Sequence, residues 1–215
     1  MTQAAMESKT EFLRALPGDD VRQILWRFED RFDLQMLVQS VRGVARGPVA
    51  RLVAEGARNT HEWTAGKQAL LVMFISRHCP YVQHVKHELA RLGKDYAGRP
   101  LAIVAISSNY VVQYPEDKPE HLRAMAVELD LNYPICYDET QEVAKAYDAA
   151  CTPDFFLYDE QRRLVYRGQL DGARPRNDVP VTGADLRAAI DAVLAGQPVN
   201  PQQRPSMGCN IKWRP

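Results

Sequence analysis

The stretch Ala69 to Val82, ALLVMFISRHCPYV, decides how the rest of the chain is read. Leu70 to Ile75 is an apolar run rich in Leu, Val, Ile and Phe, the composition of a strand buried on both faces. It ends in polar Ser76, Arg77 and His78, followed by Cys79 and Pro80. Proline suits the first position of a helix, where a missing N–H costs nothing. Val82, Val85, Leu89 and Leu92 then recur at helical spacing, with Lys86, Glu88 and Arg91 between them. Cys79 therefore falls at a strand-to-helix junction, at the positive end of a helix, where the thiolate, the reactive form of cysteine, is favoured.

Outward from this junction, strand and helix patterns alternate. Leu101–Ser107 reads as a second buried strand, Asn109–Pro119 as a polar loop and Glu120–Leu129 as a helix. Tyr133–Tyr137 is a short edge strand and Thr140–Tyr147 a helix. Phe155–Tyr158 and Leu164–Tyr166 flank turn residues Asp159–Arg162 and predict a hairpin. After a polar loop from Gly168 to Val181, Thr182 is the expected cap of a last helix aligned on Leu186, Ile190 and Leu194 and ended by Gly196. Such alternation implies an α/β fold, a central sheet with helices on both faces. The reactive cysteine after the first strand, with a hairpin and helix at the end, points to a thioredoxin-like mixed sheet. Residues 59–196 form that domain. Residues 1–58 show helical stripes (Val21, Ile24, Leu25, Phe28; then Leu34, Leu37, Val38, Val41) and read as an N-terminal helical extension. Residues 197–215, with four prolines and little periodicity, read as a C-terminal tail.

Lys+Arg and Asp+Glu are both 27, so the formal net charge is zero and no polyanionic partner is implied; nucleic acid is not expected. No apolar run approaches the roughly 18 residues of a membrane span. The start MTQAAMESKTEF lacks the basic and apolar regions of a secretory signal, so a cytoplasmic location is expected. In that compartment the four cysteines, Cys79, Cys136, Cys151 and Cys209, stay mostly reduced. None is spaced as in a zinc knuckle, so no structural metal is expected. Simple packing is the better reading for Cys136, between Ile135 and Tyr137. His84 stands one helical turn from both His87 and Glu88, a metal-compatible spacing, but a solvated helix face is the commoner reading.

At this point the chain resembles the thioredoxin-like redoxin family, in the branch of alkyl hydroperoxide reductase and thiol-specific antioxidant proteins. The matching pieces are Leu71-Val-Met-Phe-Ile75, His78-Cys-Pro-Tyr-Val82, Tyr114-Pro-Glu-Asp117, Tyr137-Asp-Glu-Thr140, Cys151-Thr-Pro-Asp-Phe-Phe-Leu157, Tyr166-Arg-Gly-Gln-Leu170, Asn177-Asp-Val-Pro-Val181 and Ser206-Met-Gly-Cys-Asn-Ile-Lys-Trp213. The resemblance implies that Thr152-Pro153 is the family's cis-proline site, facing the active cysteine. The backbone before that proline is then able to pair with a bound substrate in strand fashion. Two departures stand out. Relatives carry Cys-x-x-Cys at the junction, whereas here Ser76 holds the first position, which in thioredoxins supplies the exposed attacking thiol. Relatives also begin with a Pro-Asp-Phe segment and a hairpin, in place of which stand residues 1–58.

What the resemblance implies is a thiol-dependent oxidoreductase or antioxidant acting through Cys79, with no bound cofactor. Ser76-x-x-Cys79 is similar to the peroxiredoxin Thr/Ser-x-x-Cys, though Val72 replaces the proline that precedes that hydroxyl. A sulfenic acid on Cys79 would need a second thiol. Cys151, next to the Thr152-Pro153 turn, is the first candidate, and Cys209, brought in by a mobile tail, the second. Expected partners are a peroxide or a protein or small-molecule disulfide, an external thiol reductant and a second copy of the chain in a homodimer. The competing reading, a redox-inactive binding module, follows from the missing first cysteine.

Overall fold

The computed structural model describes residues 66–215; the helical extension expected over 1–58 lies outside them. Strand β1 (Ala69–Phe74) is buried at every position and leads into helix α1 (Pro80–Asp95). There follow β2 (Leu101–Ser107), a 3-10 turn at Pro115–Asp117, α2 (Pro119–Glu128), β3 (Ile135–Tyr137), α3 (Glu142–Ala146), β4 (Cys151–Thr152), β5 (Asp154–Tyr158), β6 (Leu164–Gly168), α4 (Ala184–Leu194) and β7 (Cys209–Asn210). The main sheet has the order β3-β2-β1-β5-β6. β1 pairs in parallel with β2, and β2 with β3, while β5 runs antiparallel to both β1 and β6. β3 is an edge strand and β5–β6 a hairpin, as the sequence predicts. The result is a thioredoxin-like mixed sheet.

Alternation along β1 explains why its whole run is apolar. Leu71, Met73 and Ile75 face one core with Val82, Val85, Leu89 and Leu92 of α1, Leu122 and Met125 of α2, and Leu186 and Ile190 of α4. Leu70, Val72 and Phe74 face the other, with Phe156, Tyr158, Val143, Ala144 and Tyr147. There Phe74, Tyr147 and Phe156 meet edge to face, with ring centroids 5.4–5.7 Å apart.

Three expectations need correction. Thr182 does not cap the last helix. Gly183 does, at φ 69°, and a Cβ there would stand 2.7 Å from the Glu88 carboxylate. The Asp171 carboxylate accepts from the Thr182 and Gly183 N–H groups just ahead of the helix, at 2.7 and 2.6 Å. Likewise α3 starts later than Thr140, because Gln141 turns left-handed at φ 63° and the Asp138 carboxylate accepts from the Val143 and Ala144 N–H groups. Glu88 is not on a solvated face. It is buried and paired with Arg91 and with Arg187, tying α1 to α4.

The tail is the largest correction. It is docked rather than mobile. Ser206 Oγ donates to the Gly168 carbonyl at 2.7 Å, and Ile211 is buried in the second core. Between these anchors β7 pairs antiparallel with β4, placing Cys209 opposite Thr152.

Phe156 is 1 % exposed in the aromatic cluster. Phe156→Ala is expected to lower unfolding free energy by about 3–5 kcal/mol, read from urea denaturation.

Candidate active site

Two arrangements meet at the carboxyl end of β1. The first fixes the turn Ser76–His78. Asp117, in the 3-10 turn, is fully buried, and a buried carboxylate persists only where donors surround it. It accepts from Ser76 Oγ at 2.9 Å, the Arg77 N–H at 2.5 Å and Asn109 Nδ2 at 2.8 Å. His78 Nδ1 lies 2.6 Å from its Oδ2 and, since an ionised carboxylate only accepts, donates to it. The His78 ring also stacks on Tyr114, with centroids 4.9 Å apart. Ser76 Oγ stands 3.0 Å from the same ring nitrogen. Serine and carboxylate thus share one face of the imidazole, whereas a nucleophilic triad places them on opposite nitrogens. This cluster holds a turn; it is not a hydrolase.

The second arrangement gathers thiols. Cys79 is the N-cap residue of α1, with Pro80 beside it in the first turn, and is fully buried. Its thiol donates to the Thr152 carbonyl at 3.0 Å. The Thr152–Pro153 peptide is cis. Cys209 lies on β7 opposite Thr152, the residue that accepts from Cys79; burial first, then the neighbouring Cys79 thiol, push its thiol up to about 11. The Cys151 thiol donates to the Pro153 carbonyl at 3.5 Å, and burial, followed by repulsion from Asp154 and then from Cys79, pushes it up to about 12. Cys136 sits in the core on β3, held at about 12 by burial alone, as a packing residue is.

The fold therefore gathers Cys79, Thr152, Pro153, Cys151 and Cys209 and gives Ser76 a different partner: its hydroxyl bonds to Asp117. Asp117 and Asn109 escaped the sequence reading because both lie in a stretch that reads as a polar loop. The available signal was the piece Tyr114-Pro-Glu-Asp117, whose acidic end follows a proline. Asn109 also links the two arrangements, since its Oδ1 accepts from the Lys212 N–H at 2.7 Å.

The model of the AhpC/TSA family matches residues 53–167, more than half of the chain. The chain belongs to this family. A hypothetical protein of Sinorhizobium meliloti 1021 is 54 % identical, with a TM-score of 0.71 over 72 % of this chain and 84 % of its own. An uncharacterized conserved protein of Geobacillus kaustophilus is 57 % identical, with a TM-score of 0.68 over 69 % of this chain and 79 % of its own. No curated protein matches. Membership supports a redoxin-type, thiol–disulfide function for this AhpC/TSA protein.

Two outcomes test the site's electrostatics. Asp117→Asn replaces an acceptor of several donors by a group that itself donates. It should lower stability by about 1–3 kcal/mol in urea denaturation. A thiol held near 11 ionises only as pH rises. Alkylation of Cys209 by iodoacetamide should therefore accelerate about tenfold per pH unit between about pH 8 and 10, followed by peptide mass spectrometry.

Proposed function

We propose that this protein is a thiol-dependent oxidoreductase whose working couple is Cys79 and Cys209, the second replacing a thiol that the Ser76 position lacks. The observation that carries this is the register of β7 on β4, which sets Cys209 opposite Thr152, the residue whose carbonyl accepts from the Cys79 thiol, across 130 positions of sequence. Cys209 is the partly exposed member and holds its proton, and Cys79 is the buried one at the helix end. In the forward step the Cys209 sulfur, the partly exposed one, attacks a substrate disulfide, RSSR, expelling one thiol and forming a mixed disulfide. The Cys79 sulfur then attacks the Cys209 sulfur, expelling the second. The balance is one RSSR and two protein thiols giving two RSH and one Cys79–Cys209 disulfide. An external thiol pair reverses this and returns as its own disulfide.

A hydroperoxide is the alternative oxidant, giving a Cys79 sulfenic acid that Cys209 resolves with loss of water. Disulfide exchange is the better supported of the two, because the Ser76 hydroxyl that would help hold a peroxide is engaged by Asp117. Cys151, first among the sequence candidates for resolving thiol, yields to Cys209, since its own thiol points to Pro153.

Treatment of the reduced protein with a small disulfide, then peptide mass spectrometry without reduction, should yield a Cys79–Cys209 linkage. Either Cys79→Ser or Cys209→Ser should abolish it and cut turnover more than a hundredfold, while Cys151→Ser keeps both. A Cys79–Cys151 linkage would reinstate Cys151 as the partner. Four free thiols after treatment would leave a binding module.

A further inference from the structure

β4 is a strand of two residues, and its backbone touches the buried thiol: the Thr152 carbonyl accepts from Cys79. This edge beside Cys79 is a place where an extended polypeptide can pair, since an open strand edge is the usual template for such pairing. Here the edge is filled. The chain's own residues Cys209–Asn210 pair with Cys151–Thr152 in antiparallel register, and they deliver a cysteine opposite the residue that contacts Cys79.

The seat is built for backbone. A Cβ on Gly208 would stand 2.0 Å from the Thr152 carbonyl oxygen and 2.6 Å from its carbon, so no side chain fits there. The strand is also held from both ends. Before it, Arg204 accepts from the Gln169 N–H at 2.9 Å; after it, the Lys212 carbonyl accepts from the Tyr110 N–H and from Gln141 Nε2, both at 2.8 Å. Arg214 N–H donates to Gln141 Oε1 at 2.8 Å. Ser206 and Met207 also wall a shallow surface cleft with Tyr81, His84 and Pro153.

We infer that the C-terminal strand Gly208–Asn210 is a specificity element, a built-in occupant of the strand-pairing edge that shuts out polypeptides and confines the site to low-molecular-weight disulfides. The inference names the substrate class of the site proposed above and rests on that reading only for the identity of the thiols. Its test is therefore made independent of Cys209. In a full-length Ser76→Cys/Cys209→Ser protein the neighbouring cysteines exchange disulfides while the strand stays in place. Such a protein should reduce 5,5′-dithiobis(2-nitrobenzoate) and reduce insulin at least tenfold more slowly relative to it than the same protein carrying Gly208→Val, in which the clash with Thr152 lifts the strand. The ratio is the readout, since it cancels any change in the intrinsic reactivity of the introduced pair, with circular dichroism confirming that the Gly208→Val protein is folded. Equal ratios with and without Gly208→Val overturn the inference.

A second measurement uses the wild type. Backbone exchange at Cys209–Asn210 should be unchanged by excess unfolded, carboxymethylated polypeptide. Faster exchange there means that polypeptide displaces the strand, and the inference fails. Loss of the Cys79–Cys209 linkage in the preceding experiment would sink the couple and leave both of these readouts standing.

Discussion

The Asp117 carboxylate organises the site. A charge taken fully out of water is tolerated only when donors replace its hydration, and here those donors come from separate parts of the chain. Ser76, Arg77 and His78 bring the turn after β1, and Asn109 brings the segment after β2. Through the other end of its amide, Asn109 holds Lys212 of the tail. One buried charge thus fixes the start of α1, where Cys79 sits, and reaches by a single residue to the strand that delivers Cys209.

The same network explains what became of the missing first cysteine. In a Cys-x-x-Cys site, position 76 holds the attacking thiol. Here a hydroxyl occupies it and donates to the carboxylate, a role for which serine is well suited. In the proposed couple the lost thiol has its counterpart on β7, which sets Cys209 opposite Thr152. That placement depends on the docking of the tail through Ile211 and Lys212.

The central sheet was legible because its signals are local. The β1 run, the α1 stripe and the hairpin around Asp159–Arg162 each follow from periodicity within a few residues. Errors fell where a distant side chain overrides the local pattern. Thr182 has the chemistry of a cap, yet Asp171, eleven positions earlier, holds its N–H and that of Gly183, and the cap falls on Gly183. Glu88 has the spacing of a surface residue, yet Arg187 on another helix draws it into the interior. Asp117 and Asn109 read as loop residues because nothing near them in sequence reveals that they meet.

By itself, then, the sequence determined the order of strands and helices, the placement of Cys79 before Pro80 at a helix start, the absence of a cysteine at Ser76, and the motif pieces of its family. Burial periodicity and turn chemistry act between near neighbours, and a linear string records them. Only the tertiary structure decided that Cys209 stands opposite Thr152, whose carbonyl takes the Cys79 thiol, that Ser76 belongs to Asp117, and that a proline-rich tail ends as a strand on Thr152. Those outcomes depend on which unpaired donors, acceptors and strand edges come face to face after folding, over distances that no local pattern encodes.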